Sequence, residues 1–279
     1  MAVTALGSVR SCGVTTLALT LAATWPSQRR VLLAELDPAG GTLAAACGWP
    51  SEPSVVSLAA AARRGGDPAM VWEHCQASPS GMAVLAGPVS GEQAQRALAM
   101  LDELTRRLNE LDADVLVDCG RFDPVSPTSV VLNGADLALL AVRPRLADLH
   151  ALATWLDSHS IEVERELIVI GDGPYSDAEI AEALGLPVLA RMPWDPEAAQ
   201  AIVSVPSDSR GLRLAPLVRA ARSLADHLAT KLDPPVGTTV AHAAAETPVT
   251  QRRKFTRVLR PAVTTAHSMN GVSGEGSSG

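Results

Sequence analysis

Seven short apolar runs recur through residues 2–190, and helical patterns or loops separate each run from the next. This alternation is typical of βαβ units, whose parallel strands form one sheet. The run over residues 137–142 is apolar throughout, which favours strands covered on both faces. The sequence therefore predicts a doubly wound α/β domain, with helices on both faces of a mostly parallel sheet of about seven strands. The runs are Ala2–Leu6, Arg30–Leu36, Met82–Ala86, Asp114–Asp118, Leu137–Val142, Glu166–Ile170 and Val188–Ala190.

Two longer segments repeat apolar residues at the spacing of a helix with one buried face, one from Ala94 to Leu111 and one from Leu214 to Leu228. After Leu232 the sequence becomes rich in Pro, Ala, Thr, Gly and Ser. Such a segment buries too little apolar surface to offset its ordering entropy. We therefore predict one domain over residues 1–232 and a disordered tail over residues 233–279.

The net charge of −7 is unevenly distributed, because residues 234–279 carry five basic and two acidic groups and leave residues 1–233 at −10. An acidic body argues against a broad nucleic-acid surface. None of the four cysteines forms a CxxC pair, and the sequence shows neither a signal peptide nor an apolar run long enough to span a membrane. We expect a cytoplasmic protein with reduced thiols.

The segment after the first run has the shape of a phosphate-binding loop. An apolar strand leads into it and a helix is predicted from Thr15 to Thr24, an order that aims backbone N–H groups at phosphates. Against the pattern Gly-x4-Gly-Lys-Ser/Thr, Ser8 takes the first glycine position, Val14 takes the lysine position, and Thr15 keeps the hydroxyl that binds Mg²⁺. The candidate nucleotide-binding residues of the loop are Ser8, Arg10, Ser11, Cys12, Gly13, Val14, Thr15 and Thr16.

Carboxylates follow two of the predicted strands, at the edge where open α/β sheets bind ligands. Glu35 and Asp37 precede the turn Gly40-Gly41, and Asp118 ends the run that begins at Asp114. Carboxylates at these places suit a hydrated Mg²⁺ and an attacking water. An Asp-Pro turn and a capping aspartate are the structural alternatives. A further turn at the same predicted edge places Pro193 where it would flank a base.

Together these segments resemble the deviant-Walker ParA/MinD family of P-loop ATPases. The resemblance covers about residues 2–230 and includes Ala135-Asp136 before an apolar strand, Leu184-Gly185-Leu186-Pro187, and Met192-Pro193-Trp194-Asp195. The sequence Glu-Leu-Asp-Pro-Ala-Gly-Gly at 35–41 is most similar to the actinobacterial MinD-like branch, here with a degenerate loop.

The resemblance implies ATP and Mg²⁺ as cofactors. It makes Asp37 the water-activating residue and Asp118 the Walker B residue, and it assigns Thr15, Asp37 and Asp118 to the metal. Both family lysines are replaced, by Val9 and Val14, so we expect weak or absent hydrolysis. Arg10 or Arg121 is a candidate for the missing charge.

The function that this resemblance implies is a nucleotide-binding protein or pseudo-ATPase of intracellular positioning, such as partitioning, septum or secretion-system placement, acting through protein partners and forming a homodimer. Two alternatives stay open: an active ATPase in which arginine replaces the loop lysine, and a nucleotide-free scaffold that binds proteins.

The tail contains one basic cluster, residues 251–260. If this segment is helical, Phe255, Val258 and Leu259 share one face between its charges, a pattern that suits an anionic membrane surface, nucleic acid or a partner groove. A solvated charge run is the alternative. Membrane contact through this cluster would make the protein peripheral to the membrane.

Overall fold

The computed structural model describes residues 1–65, 67–78, 80–99, 101–122 and 128–232, without the side chains of 101–103, 128 and 129. The predicted tail, with its basic cluster at 251–260, lies outside the described residues. The predicted boundary at residue 232 therefore stays a prediction.

Eight strands form one sheet in the order β3-β4-β2-β5-β1-β6-β7-β8. Every neighbouring pair is parallel except β3 and β4, which are antiparallel. The predicted α/β class with a mostly parallel sheet is confirmed. The strands are β1 (Val3–Ser8), β2 (Val31–Glu35), β3 (Gln76–Ala77), β4 (Ala83–Leu85), β5 (Asp114–Arg121), β6 (Leu137–Val142), β7 (Glu164–Ile170) and β8 (Val188–Met192).

Helices cover both faces of this sheet and enclose two hydrophobic clusters. One cluster joins α1 and α10 to the face that carries Leu6, Leu33 and Leu116. The other cluster packs the six helices α3 through α8 against the face that carries Ala5, Ala34 and Val117. The helices are α1 (Val14–Ala23), α2 (Leu43–Ala46), α3 (Val55–Ala62), α4 (Gly91–Leu98), α5 (Leu101–Asn109), α6 (Thr128–Gly134), α7 (Leu146–Ser158), α8 (Asp177–Leu184), α9 (Pro196–Ala201) and α10 (Pro216–Lys231).

Three details differ from the sequence prediction. Strand β3 has only two residues, too few to show a period of two. The single helix predicted from Ala94 is wrong, because α4 and α5 are separate helices. The apolar spacing continues from α4 into α5 because Ala97, Leu98 and Leu104 all pack in the same hydrophobic cluster, and this made the two helices look like one. Strand β1 extends to Ser8, where it pairs with Ala141 of β6 and Arg121 of β5.

The central strands bring the predicted site to one edge of the sheet. Leu6 of β1 and Glu35 of β2 each lie opposite Asp118 of β5, so the carboxyl ends of the three strands are level. Among the described residues, no helix combines the length and the apolar composition needed to cross a bilayer.

Candidate functional site

The connection between β1 and α1 comprises only residues 9–13 and ends at Gly13. Gly13 is the N-cap of α1 and has φ 93°, a left-handed conformation that a side chain would strain. The first amides of a helix have no partner within the helix, so α1 presents N–H groups to this loop. The backbone therefore offers the kind of anion seat that the sequence predicted.

The side chains of the loop divide into buried and exposed sets. Cys12 and Val14 are buried in the cluster around Leu17, whereas Arg10 and Ser11 are exposed. Burial raises the pKa of the Cys12 thiol to about 11, so this cysteine stays a neutral thiol. The residue at the lysine position thus packs into the core, and the loop faces solvent with its backbone and Arg10.

Ser8 lies inside the sheet, although the sequence placed it at the start of the loop. It is fully buried, and its carbonyl accepts the Phe122 amide at 2.7 Å. A Cβ on the neighbouring Gly7 would collide with the Phe122 ring, which stacks on Trp155 with centroids 4.5 Å apart. The stacked rings of Phe122 and Trp155 therefore pack against the end of β1. The hydroxyl of Ser8 lies beside Cys12, in the loop between β1 and α1.

Asp118 is the most deeply buried carboxyl of the site. It is 0% exposed, and its Oδ1 accepts the Gly120 amide at 2.9 Å. Its Oδ2 has no hydrogen-bond partner of ordinary geometry among the described residues. Burial raises the pKa of Asp118 to about 7, although the Thr15 side chain and the Gly120 amide oppose the rise. A cation at Oδ2 would offset this cost of burial.

Glu35 lies opposite Asp118, but both of its carboxylate oxygens accept backbone amides. Its Oε1 accepts the Thr42 and Leu43 amides at 2.7 and 3.1 Å, and its Oε2 accepts the Gly87 amide at 2.9 Å. Burial raises the pKa of Glu35, and these amides lower it. This carboxylate holds the start of α2 and the end of β4 together.

Asp37 follows β2, and its carboxyl group lies close to the backbone of β5 at Gly120. A Cβ at Gly120, whose φ is +62°, would collide with the Asp37 carboxyl, so the two chains approach closely at this point. Asp37 Oδ1 accepts the Ala39 amide at 2.8 Å. Burial raises the pKa of Asp37, and the charge of Arg121 lowers it. The structure thus places Asp37, Asp118 and the loop at one edge, while their roles remain predictions.

The sequence alone assigned no role to Trp194 or to Arg143. Arg143 follows β6 directly, and its guanidinium lies 4.2 Å from the centroid of the Trp194 ring. The ring reaches the loop, with Cζ3 4.0 Å from where a Cβ on Gly13 would be. The sequence could have indicated these two residues by their position, because both follow predicted strands at the edge of the sheet that carries the site. Pro193 directly follows β8, which is three strands from β1 in the sheet, and the adjacent Trp194 reaches across to Gly13.

The residues present fit Mg²⁺ with a nucleotide better than Mg²⁺ alone. Among the described residues, no three carboxylate, imidazole or thiol groups converge on one point. Mg²⁺ in nucleotide sites is usually held by one or two carboxylates together with phosphates and waters. Asp118, with its unsatisfied Oδ2, and the Thr15 hydroxyl would supply the protein ligands, with Asp37 nearby.

Comparison with solved structures shows which fold this is. A ParA family ATPase from Chlorobium tepidum TLS matches with a TM-score of 0.65 and 17% identity, over 81% of this chain and 98% of that one. The septum site-determining protein MinD from Pyrococcus horikoshii OT3, complexed with Mg-ADP, matches with 0.68 and 16%, over 83% and 97%. A McdA variant from Cyanothece in complex with ATP matches with 0.62 and 17%, over 82% and 96%.

At these identities the likeness shows the fold alone. The chain has the P-loop fold that ParA and MinD ATPases share, as the sequence predicted. No family model matches the chain, and no curated protein matches it either.

Proposed function

We propose that this protein binds a nucleoside triphosphate with Mg²⁺ at the carboxyl edge of β1, β2 and β5, and that it hydrolyses the nucleotide weakly or not at all. The loop amides and the N-terminus of α1 would take the phosphates. Thr15 and Asp118 would hold the metal, and Asp37 would face the water.

The observation that carries this proposal is the state of Asp118. A carboxylate with no exposed surface and one oxygen without a hydrogen-bond partner of ordinary geometry among the described residues is costly for a fold to keep. Perturbed carboxyls of this kind cluster at functional sites. Asp118 lies beside Thr15, at the N-terminus of a helix that follows a left-handed glycine. A metal ion would pair with the Asp118 carboxylate, and a phosphate would accept hydrogen bonds from the amides at the N-terminus of α1.

The same geometry argues against efficient hydrolysis. Catalysis of phosphoryl transfer consists almost entirely of positioning and charge stabilisation. Val14, at the lysine position, is buried in the cluster around Leu17, and Val9 packs against the opposite cluster. Neither position delivers a cation to the loop.

Calorimetry with ATP and Mg²⁺, combined with an assay of phosphate release, tests the proposal. We expect binding without sustained release, and we expect Asp118→Ala to abolish the dependence of binding on Mg²⁺. Release that is lost on Asp37→Ala would instead establish the alternative of an active ATPase. Absence of binding at millimolar ATP would favour the alternative of a nucleotide-free scaffold.

For the cellular role we propose ParA/MinD-like positioning through protein partners, in the cytoplasm. The support is the shared fold, since the similar structures include a septum site-determining protein and a ParA family ATPase. A nucleotide-dependent homodimer belongs to this proposal, and light scattering with and without Mg-ATP tests it: a mass that stays monomeric with bound nucleotide would contradict it.

Contact of residues 251–260 with an anionic membrane or nucleic acid also remains a proposal. Co-sedimentation of the full chain and of a chain ending at residue 232, with anionic liposomes and with DNA, tests it. A salt-sensitive difference between the two chains is expected on one of these surfaces. Equal behaviour on both would leave the solvated charge run as the better interpretation.

A further inference from the structure

Arg143 occupies the loop between β6 and α7, directly beside the phosphate loop. Strand β6 is the neighbour of β1 on the side away from β5, and Ser8 pairs with Ala141 two residues before Arg143. Arg143 therefore faces the loop from the side opposite Asp37 and Asp118. A cation there would be separated from the carboxylates, which would otherwise neutralise it.

The guanidinium of Arg143 lies over an aromatic ring. It lies 4.2 Å from the Trp194 centroid, and Trp194 also approaches Gly13 of the loop and Gly171 at the end of β7. The charge of Arg143 lowers the pKa of Cys12, although burial dominates and raises it. Asp148, from the first turn of α7, is the other charged group that acts on Cys12. The cation is thus within electrostatic reach of the loop.

Two buried polar atoms at this side of the loop lack ordinary hydrogen bonds. Within the described part of the chain, Arg143 Nε has no partner of hydrogen-bond geometry, and the only group that interacts with Ser8 Oγ is the Cys12 thiol. Ser8 is 0% exposed and turns its hydroxyl toward Cys12. The buried Arg143 donor, which lacks such a partner, points to a ligand that accepts hydrogen bonds, and the Ser8 hydroxyl lies at the end of the neighbouring strand β1.

We propose that Arg143 is the phosphate-binding cation of this site and that it takes over the electrostatic role of the missing loop lysine. The proposal rests on the proposed function, since it assigns the cation for the same nucleotide phosphates. Trp194 is the positioning residue that stacks on the guanidinium and keeps its plane fixed. A planar guanidinium binds two phosphate oxygens at once and tolerates partial burial better than an ammonium group.

The two arginines suggested by the sequence are worse placed. Arg10 is exposed on the loop. Arg121 is exposed at the end of β5, and its charge acts on the Asp37 carboxyl. Arg143 alone of the three has a buried nitrogen atom and an aromatic support among the described contacts.

The test measures the Kd of Mg-ATP and Mg-ADP by calorimetry in the full chain. Arg143→Ala should weaken binding about 10- to 100-fold, the size expected for losing a hydrogen bond to a charged group. Arg143→Gln keeps part of the stem over Trp194 and should show a similar loss. Arg145→Ala is the matched control, since it removes the same charge from an exposed position in the same loop and should change the Kd less than about twofold.

Two further variants address mechanism. Val14→Lys in the Arg143→Ala background should restore most of the lost affinity, because it returns a cation to the loop. Nucleotide should change the tryptophan fluorescence of the wild type, and Trp194→Phe should remove that change while weakening binding less than Arg143→Ala does.

The outcomes separate this inference from the proposed function. Binding by the wild type that Arg143→Ala and Arg143→Gln both retain, with unchanged circular dichroism, would overturn the assignment to Arg143 and leave the nucleotide site standing. An equal loss in Arg145→Ala would also overturn it, by showing a general charge effect. A wild type that binds neither nucleotide would overturn both proposals.

Discussion

Strands β2 and β5 carry two buried carboxylates, Glu35 and Asp118, that lie opposite each other in register and differ in their hydrogen bonds. Glu35 accepts three backbone amides, at 2.7, 3.1 and 2.9 Å. Asp118 accepts one amide through Oδ1, the Thr15 side chain lies beside it, and its Oδ2 has no hydrogen-bond partner of ordinary geometry among the described residues. Both side chains are buried, 1% and 0% exposed.

The difference between them distinguishes a carboxylate that builds the fold from one that is available to a ligand. Burial alone does not separate the two, because both have a pKa raised by desolvation. The number of backbone amides that each carboxylate accepts does separate them. Glu35 belongs to the architecture of the β2 turn, whereas Asp118 has bonding capacity that a cation would use.

The largest effect that this comparison predicts is on stability. Glu35→Ala leaves three backbone amides without their acceptor, and the two on the buried residues Leu43 and Gly87 each cost about 1–3 kcal/mol, so the free energy of unfolding should fall by roughly 2 kcal/mol or more. Asp118→Asn should not lower it at pH 7, because the neutral amide carries no buried charge and its oxygen can still accept the Gly120 N–H. Urea unfolding measures both.

Glu35→Gln is the intermediate control, since it keeps the shape of the side chain and replaces one acceptor by a donor. Its cost should lie between those of the other two variants. If Asp118→Asn destabilised the protein as much as Glu35→Ala does, the distinction between the two carboxylates would be wrong.

The next effect is the pH dependence of stability. The pKa of Asp118 is raised to about 7 in the folded state, so between about pH 4 and pH 7 the folded state binds a proton that the unfolded state has lost. Stability should therefore fall as pH rises through this window and level off above it. At about 1.4 kcal/mol for each unit of pKa difference, the contribution of Asp118 is on the order of 2–4 kcal/mol.

Unfolding of the wild type and of Asp118→Asn at pH 5 and pH 8 checks this prediction. The wild type should lose more stability than the variant between the two values, while Glu35 and Asp37, whose pKa values are also raised, contribute a slope of the same sign to both proteins. Parallel profiles would place the titration elsewhere.

The fold could be predicted from the sequence because its signals are local and repeated. Parallel strands covered on both faces are continuous apolar runs, and the seven predicted runs all lie on strands. Strand β3 was missed because two residues carry no period, and the break between α4 and α5 was missed because both helices bury one continuous apolar face.

The site was harder to predict, because its chemistry depends on contacts between distant elements. The positions of Asp37, Asp118 and Gly13 followed from strand ends and turn residues. That Glu35 holds Gly87, 52 residues away, does not follow from spacing. Nor does the stacking of Arg143 on Trp194, which requires the order of β6, β7 and β8 in the sheet.

A smaller effect is expected when a cation is returned to the loop. Val14→Lys should tighten Mg-ATP binding by about tenfold, because a lysine at this position contacts phosphate in intact loops. The same change should lower stability by about 1–3 kcal/mol, since Val14 is buried in the cluster around Leu17. Val14→Met isolates the effect of packing, and it should not tighten binding. No gain in affinity with lysine would show that the loop backbone does not cradle phosphate.

The smallest effect concerns Asp37, the third carboxyl of the edge, which is half-buried and so intermediate between the other two. Burial raises its pKa and the charge of Arg121 lowers it, so Arg121→Ala should raise the pKa of Asp37 further. Because Arg121 is exposed, the change in unfolding free energy should stay under about 0.5 kcal/mol and shrink as salt rises.

NMR titration of the Asp37 carboxyl carbon at low and high salt measures the shift in the pKa of Asp37, and Arg145→Ala serves as the control for loss of a distant charge. A shift that salt does not reduce would mean that Arg121 acts on Asp37 through packing of the β5 end and not through its charge. Asp37 would then resemble Glu35, as part of the architecture, and the water-facing role proposed for it would lose its electrostatic basis.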